Sequence, residues 1–344
     1  MSWLQPAPAI CALLGLLLAG CSPPQAASPS AVSRIQARGY VTCGSSQGIA
    51  GLSRPDEKGV WRGFDTDVCR AFAAAVLGDA TKVRFTPLNA AQRLPAVQTG
   101  EIDVLSRTTT AAFTRDMPIR YVAVSQFDTD AMIVRKALGA SEPKQLNGRT
   151  VCLQGGGSSV DGTLTAIEGE AGVTLKRVYF DSTITARDAY FAGRCDAYVT
   201  DGLAAASQVA TVAKDPAEHR LIYLKHLMPQ AVWIARGDDR WFDVVRWTVN
   251  VLIWAEANGV TQANVDEKLK TGSPEVRRVL GGDGTYGRAL GLDGAWAYKV
   301  IKQVGNYGEI WDRNLGTGSP IKAERRLNKL YSDGGLLYPV PWDL

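Results

Sequence analysis

The stretch Thr150-Val151-Cys152-Leu153-Gln154-Gly155-Gly156-Gly157-Ser158-Ser159 is a short β-type run that leads directly into a glycine-rich turn. An earlier stretch has the same order, because Tyr40-Val41-Thr42-Cys43 leads into Gly44-Ser45-Ser46-Gln47-Gly48. Helix-like sequence follows both stretches. Strands that alternate with helices favour parallel sheets covered by helices. A unit that occurs twice therefore predicts an α/β protein with two similar lobes.

A second pair of segments, 94–108 and 188–201, supports this duplication. Each contains a helical stretch, a glycine of the kind that ends helices, an aspartate and then a β-type run. Extended apolar runs at 131–135 and 231–235 are interpreted as two hinge strands that cross between the lobes. We expect the first part of lobe one at 37–132 and lobe two at 133–232. The second part of lobe one, with a C-terminal extension, is expected at 233–344.

The N-terminus carries features of an export signal. The apolar run Ile10 to Ala19 is about ten residues long, whereas a helix that spans a bilayer needs about 20, so the run is typical of a signal-peptide core. It ends in Leu18-Ala19-Gly20-Cys21, which looks like a lipobox. We expect a lipoprotein signal peptide at 1–20, lipidation of Cys21 and a flexible tether at 21–36. Ordinary signal cleavage, with Cys21 incidental, is the alternative.

Composition restricts the classes of partner. The chain has 344 residues, of which 46% are hydrophobic and 21% charged, as expected for a globular protein long enough for two domains. The formal net charge of +4 is spread along the chain, whereas proteins that bind nucleic acid usually concentrate Lys and Arg on one face. Nucleic acid is therefore not expected as a partner, and the membrane is expected to be contacted only through the lipid anchor.

Four cysteines, Cys43, Cys69, Cys152 and Cys195, remain after the signal and the lipidation site are set aside. An even number in an exported chain favours two disulfides, and three connectivities are open. The lobe assignment favours Cys43–Cys69 and Cys152–Cys195, because bridges within a lobe leave the hinge free. No CxxC spacing occurs and the two histidines lie apart from the cysteines, so no metal site is predicted.

Two predicted strand–helix loops are candidates for a binding site. In open α/β sheets ligands bind beyond the carboxyl ends of strands, and the N–H groups at helix N-termini attract anions. One loop is Arg107 to Thr110, with Arg115 close behind, and the other is Gly155 to Ser159. A tight turn without a ligand is the alternative for the glycine-rich loop. The candidate residues in these loops are Arg107, Thr108, Thr110, Gly156 and Ser158.

Two charged residues complete the predicted site. The guanidinium of Arg115 suits a carboxylate held by two hydrogen bonds, although an ion pair with Asp116 is the alternative. Asp201 ends a β-type run in lobe two and is equally placed to cap the helix that begins at Gly202. One cation and one anion on opposite lobes predict a site for a zwitterion. Ser158 is not in a GxSxG motif, so neither catalysis nor a cofactor is predicted.

Several segments of the mature chain resemble one known family. They are Gly63 to Ala71, Gly100 to Arg107, Ala192 to Asp196, Gly237 to Asp243, Trp296 to Tyr298, Gln303 to Glu309 and Gly316 to Pro320. The chain resembles periplasmic amino-acid-binding proteins of polar amino acid ABC transporters, solute-binding protein family 3, and within it the general L-amino-acid-binding subgroup.

This resemblance implies the type II periplasmic-binding-protein fold, in which two hinge strands join two α/β lobes. It implies that a monomer in the periplasm captures a free L-amino acid and delivers it to a membrane permease. Arg115 is then expected to bind the α-carboxylate and Asp201 the α-ammonium, with help from Thr108, Thr110 and Ser158. An envelope enzyme of the dehydratase type, or an amino-acid sensor, is the alternative on the same fold.

Overall fold

The computed structural model describes Met1 and residues 30–343. Residues 2–20 of the predicted signal peptide, Cys21 and residues 22–29 of the predicted tether lie outside the described residues. The rest of the tether prediction is wrong, because Ala31–Arg38 forms a helix, α1. The side chain of Ser30 accepts a hydrogen bond from the amide of Ser33, and the apolar face of α1 is buried in the core of lobe one. The tether was predicted from a composition rich in Pro, Ala and Ser. Burial of the apolar face stabilises α1 in spite of that composition.

Strands and helices alternate along most of the chain. The strands are β1 Val41–Ser45, β2 Arg54–Pro55, β3 Trp61–Arg62, β4 Val83–Pro87, β5 Val104–Thr110, β6 Arg120–Arg135, β7 Thr150–Gln154, β8 Lys176–Phe180, β9 Ala197–Asp201 and β10 His219–Ile234. The helices after α1 are α2 Phe64–Leu77, α3 Arg93–Gln98, α4 Phe113–Asp116, α5 Val160–Ala171, α6 Thr183–Phe191, α7 Gly202–Thr211, α8 Asp239–Ala257, α9 Val265–Thr271, α10 Pro274–Val279, α11 Thr285–Leu290, α12 Trp296–Val304 and α13 Tyr307–Asn314.

Eight of the described strands form one continuous sheet in the order β4-β1-β5-β10-β6-β9-β7-β8. The outer strands of each half are parallel, with β1 between β4 and β5 and β7 between β8 and β9. The two central strands, β6 and β10, have 16 residues each and pair antiparallel with one another. They join the two halves of the sheet, so the predicted arrangement of two α/β lobes and two hinge strands is confirmed.

The register places both crossings between the lobes. Strand β6 pairs with β9 of lobe two from Asp130 onward, where Asp130 lies opposite Asp201. Strand β10 pairs with β5 of lobe one from Gln230 onward, where Gln230 lies opposite Thr110. The crossings therefore fall a few residues before the predicted boundaries at 132/133 and 232/233. The apolar runs used for prediction mark only the buried ends of these strands, whereas the polar residues before them belong to the same strands.

The duplicated sequence pattern has a structural counterpart in each lobe. The carboxylate of Asp103 accepts a hydrogen bond from the amide of Thr42 at 2.7 Å, at the start of β1. The carboxylate of Asp196 accepts one from the amide of Thr150 at 2.9 Å, at the start of β7. In both lobes an aspartate that precedes one strand thus satisfies a backbone donor of the neighbouring parallel strand.

Each lobe has its own hydrophobic core and its own disulfide. The bond Cys43–Cys69 joins β1 to α2 in lobe one, and Cys152–Cys195 joins β7 to the segment before β9 in lobe two. These are the two pairs that the lobe assignment favours. Neither bridge crosses the hinge. Within the described residues no helix combines the length and the apolar character that a bilayer crossing requires.

Candidate functional site

A cavity between the lobes brings together residues from both halves of the sheet. Lobe one contributes Arg93, Arg107 and Thr108, and lobe two contributes Ser158 and Asp201. These residues lie at the carboxyl ends of strands or at the starts of helices, which is where open α/β sheets bind ligands. The three predicted residues Arg107, Thr108 and Ser158 and the predicted anion Asp201 therefore share one site.

A bulge in β5 turns two of these residues toward the cavity. Strand β10 pairs Ala231 with Thr109 and then Val232 with Ser106, so Arg107 and Thr108 have no partner in the ladder. Thr108 has a φ of +22°, which is uncommon for a residue with a side chain. Bulges next to binding sites change the direction of side chains in this way. The side chains of Arg107 and Thr108 are buried, and both residues line the cavity.

The guanidinium of Arg115 is buried and reaches across the cleft. Nη1 donates to the carbonyl oxygen of Thr110 at 3.0 Å, and Nη2 donates to the carbonyl oxygen of Gly157 in lobe two at 3.1 Å. The alternative ion pair with Asp116 is not formed in the described structure, where Asp116 lies 3.6 Å from Arg236. Burial lowers the pKa of Arg115, against the opposing effect of nearby carboxylates.

Asp201 is the last residue of β9 and faces the hinge. Its Oδ1 accepts a hydrogen bond from the side-chain amide of Gln230 at 3.0 Å. Among the described residues, no backbone N–H of α7 donates to the Asp201 side chain. Instead the amide of Leu203 in the first turn of α7 donates to Asp128 at 2.9 Å. Burial raises the pKa of Asp201, while Arg93, Arg107 and Arg115 act to lower it.

The remaining predicted residues occupy different positions around the cleft. The hydroxyls of Thr110 in lobe one and Ser159 in lobe two lie 3.5 Å apart, so they meet across the lobes. The hydroxyl of Ser158 accepts a hydrogen bond from the amide of Val160 at 3.3 Å, at the start of α5. Gly156 has a φ of +68° and lines a neighbouring pocket with Asn89, Tyr179 and others, not the cavity that contains Asp201.

Arg93 is a residue of the site that the sequence reasoning missed. It begins α3 and is only 4% exposed. Its Nη1 donates to the carbonyl oxygen of Thr108 at 3.4 Å and its Nη2 to that of Gly157 at 3.2 Å. The two candidate loops were chosen because each follows a predicted strand and precedes a predicted helix. The loop between β4 and α3 has the same arrangement, and α3 begins at Arg93.

Two buried carboxylates were also missed. Asp65, in the first turn of α2, is 1% exposed, and neither of its oxygens makes a hydrogen bond of standard geometry with a described residue. Burial raises its pKa to about 7, against the opposing charge of Arg107. Asp130 accepts a hydrogen bond from the hydroxyl of Thr163 at 2.6 Å. Burial and the neighbouring charge of Asp201 raise its pKa to about 7.

The groups most often used in catalysis lie elsewhere. His219 forms a hydrogen bond of 2.8 Å with the hydroxyl of Tyr190, and His226 lies 3.3 Å from Glu170. Neither histidine lines the cavity. In the part of the chain that the structure describes, no group of three or more His, Cys, Asp or Glu side chains is arranged to hold a metal ion. The arrangement instead suits a small molecule that carries charges of both signs.

Two lobes that enclose a charged cleft define a class of proteins that bind small solutes. Residues 41–280 match the family model for bacterial extracellular solute-binding proteins, family 3, and the chain belongs to this family. It is 43% identical over 323 residues to the general L-amino acid-binding periplasmic protein AapJ of Rhizobium johnstonii, which covers 92% of this chain and 94% of that protein.

Two further relatives match over nearly their whole lengths. The glutamate/glutamine/aspartate/asparagine-binding protein BztA of Rhodobacter capsulatus is 38% identical over 335 residues, or 96% of each chain. A solved structure of an ABC transporter periplasmic binding protein from Brucella ovis with glutathione bound has a TM-score of 0.88 and 40% identity. The match covers 91% of this chain and 99% of that one. The fold is therefore the type II periplasmic-binding-protein fold.

Proposed function

We propose that this protein captures a free L-amino acid outside the cytoplasm by closing its lobes and delivers it to an ABC transporter. The observation that carries the proposal is the cavity between the lobes, where arginines of lobe one lie opposite Asp201 of lobe two. The names of AapJ and BztA point to the same class of ligand.

The two charged ends of an amino acid account for the two kinds of charge in the site. Arg115 binds the α-carboxylate, and Asp201 binds the α-ammonium. A buried charge is costly unless it is paired and hydrogen-bonded, and a zwitterion supplies a partner for each. Thr108 and Thr110 of lobe one and Ser158 of lobe two add hydrogen bonds. Gly156 allows the loop before α5 to adopt its positive φ.

Hinge closure is the step that couples binding to delivery. The ligand docks on one lobe, and the other lobe closes over it and excludes water. A ligand drives closure only through contacts that it makes better in the closed form. Asp201 meets this requirement, because it lies in lobe two across the cleft from the arginines of lobe one, so a ligand held on lobe one gains its contact only on closure. The closed form is the one that the permease of the transporter recognises.

The cellular part of the proposal rests on the N-terminal sequence. The signal-like run supports export, and the lipobox supports lipidation at Cys21 at the cell envelope. The resemblance to the family supports a monomer. Metabolic labelling with an alkyne fatty acid tests the anchor directly. The full chain should be labelled, and Cys21→Ser should not be. Labelling that is equal in both would assign the lipid to another residue.

A thermal-shift screen tests the binding function. The folded protein is titrated with each of the twenty amino acids and with glutathione, which is included because of the Brucella ovis structure. A ligand that binds only the folded state raises the melting temperature, by an amount equivalent to about 2.7 kcal/mol at about 100 times its Kd. At least one amino acid should do so in the wild type but not in Arg115→Ala. A protein that responds to none of them would overturn the proposal.

A further inference from the structure

We propose that Arg93 and Arg107 form a second anion-binding subsite, so that the protein prefers amino acids with a carboxylate in the side chain. The inference deepens the proposed function and rests on it. Arg115 binds the α-carboxylate without help from Arg93 or Arg107. The inference therefore assigns ligand specificity to these two arginines of lobe one.

The first observation is that three buried guanidinium groups lie close to Asp201 without ion-pair partners, and that Arg93 and Arg107 also line the cavity. Arg93, Arg107 and Arg115 are each at most 8% exposed. In the described part of the chain, none of them has a carboxylate oxygen within 4.0 Å. Their hydrogen bonds go to backbone carbonyl oxygens, those of Thr108, Gly157, Leu88 and Thr110. Buried charges are normally paired, so this site has unused capacity for anions.

The second observation is the position of the two additional arginines. Arg93 and Arg107 both line the cavity that contains Asp201. The Nε of Arg93 is buried and has no hydrogen-bond partner among the described residues. Among the residues that the structure describes, the guanidinium of Arg107 makes one hydrogen bond, from Nε to the carbonyl oxygen of Leu88 at 2.9 Å. Donors of both groups therefore remain for a ligand. The cavity itself has a volume of about 20 Å³ in the described conformation, so a ligand enters only when the lobes move apart.

The third observation concerns the carboxylates near these arginines. Asp201 lies close enough to act on all three guanidinium groups, and the ligand ammonium competes for it. Asp65 acts on Arg107 and Asp130 acts on Arg115, but burial raises the pKa of both carboxyls to about 7, so at pH 7 each is about half protonated and neutralises its arginine only in part. Arg93 has the two other arginines as neighbours and Asp201 as its nearby carboxylate.

A neutral zwitterion leaves this site with an excess of positive charge, because its single carboxylate is bound by Arg115 and its ammonium occupies Asp201. A second carboxylate on the ligand removes part of that excess and takes up the free donors of Arg93 and Arg107. Arginine binds carboxylates through paired, charge-assisted hydrogen bonds, which are about twice as strong as neutral ones. The same chemistry occurs in a free dicarboxylic amino acid and in a small peptide with a second carboxylate.

Calorimetry with matched ligand pairs tests the inference without a variant. L-Glutamate and L-glutamine have nearly the same shape and differ in the charge of one group, as do L-aspartate and L-asparagine. At pH 7.5 and physiological salt, at least one acid should bind about tenfold or more tightly than its amide, as expected for hydrogen bonds to charged groups. A γ-glutamyl dipeptide and its C-terminal amide form a separate pair, which distinguishes a peptide ligand from a free amino acid.

Variants then assign the preference to residues. Arg93→Gln and Arg107→Gln should each reduce the preference for the acid to about threefold or less, which is under 1 kcal/mol. The ratio of the two affinities is the readout, because Arg93 also contacts Gly157 across the cleft and its loss weakens both ligands alike. Arg84→Gln is the control, because Arg84 is exposed in the same lobe and lies over the ring of Tyr40. It should leave the preference unchanged.

The outcomes separate this inference from the proposed function. If every amide binds as tightly as its acid, the second anion subsite is refuted while amino-acid binding stands. If a preference for the acid persists in both arginine variants, the assignment to Arg93 and Arg107 is refuted. If no amino acid binds, the proposed function itself fails.

Discussion

Nη2 of Arg115 in lobe one donates a hydrogen bond to the carbonyl oxygen of Gly157 in lobe two, at 3.1 Å. Arg93 donates to the same oxygen at 3.2 Å. The described conformation therefore has the lobes in contact, and the residue assigned to the ligand carboxylate also holds the lobes together. Ligand binding and lobe closure use the same guanidinium, which is why we expect changes at Arg115 to affect both.

Asp201, which precedes α7, and Asp128 of β6, which accepts a hydrogen bond from the first turn of that helix, have separable roles. Asp201→Asn should weaken ligand affinity by about a hundredfold or more, because a buried ammonium without its anion costs roughly 3–5 kcal/mol. Its effect on unfolding should be small, because Asp128 is the residue that accepts the bond from the amide of Leu203. Asp128→Ala is the matched variant, and it should lower the free energy of unfolding by about 1 kcal/mol, as is typical of a lost helix cap. Normal affinity in Asp201→Asn, measured by calorimetry, would leave Asp201 without a role in binding.

Asp65 should make stability depend on pH. Its carboxyl has a pKa of about 7 in the folded protein, against 3.8 for an ordinary aspartate. Between these values the folded state holds a proton that the unfolded state has released, so the free energy of unfolding falls as pH rises. The slope from one such group is up to about 1.4 kcal/mol per pH unit.

Urea unfolding between pH 4.5 and 7.5 measures this slope. Asp65→Asn should reduce it, because the amide does not titrate. Asp130 has a similarly raised pKa and retains its own contribution in that variant. Glu101→Gln, at an exposed position, is the control and should leave the slope unchanged. A wild-type protein whose stability rises with pH over this range would contradict the assignment.

The disulfide of lobe two should stabilise the fold without controlling binding. Cys152 and Cys195 are 43 residues apart in sequence, and both are buried. Loss of a bridge of this kind typically costs about 2–5 kcal/mol. The double variant Cys152→Ser, Cys195→Ser should unfold at lower urea concentration and still bind ligand under conditions where it is folded. A large loss of affinity in folded protein would show that the bridge acts on the hinge.

The C-terminal extension holds the first hinge strand through one side chain. Oδ1 of Asn328 accepts a hydrogen bond from the amide of Phe127 at 2.6 Å, and Nδ2 donates to the carbonyl oxygen of Phe127 at 2.8 Å. Asn328→Ala should lower the free energy of unfolding by about 1–3 kcal/mol, because buried backbone groups lose their partners. Asn328→Asp keeps the acceptor, and its carboxyl also keeps a donor while it is protonated, so its loss should be smaller at low pH. Once ionised, the buried carboxylate faces the carbonyl oxygen of Phe127 without a donor, and the loss should be larger. Equal stability of all three proteins in urea would show that the pair of bonds is dispensable.

Much of the site was predictable because strand ends are visible in sequence. Arg115 and Asp201 stand just after β-type runs, and parallel sheets bring such positions together at one edge. The lobe duplication was visible for the same reason, and it led to both disulfide pairs.

The features of the site that the sequence did not reveal depend on tertiary contacts. The contribution of Gly157 is a backbone carbonyl oxygen, and no residue type signals it. Asp65 belongs to the first turn of α2, where acidic residues are ordinary, and its complete burial in the folded protein makes it unusual. The start of the mature domain was misjudged because composition near Ser33 is that of a linker, whereas Ile35 and its neighbours pack into the core of lobe one.

The most direct test of the central claim uses modified ligands with wild type and Arg115→Ala. The best amino acid from the screen is compared with its α-carboxamide, which lacks the carboxylate, and with its N-acetyl derivative, which lacks the ammonium. In the wild type each change should weaken binding by about a hundredfold or more, since a buried charge loses its partner. In Arg115→Ala the amino acid and its α-carboxamide should bind equally weakly. If wild type binds both derivatives as tightly as the amino acid, Arg115 and Asp201 do not recognise the two ends of the ligand.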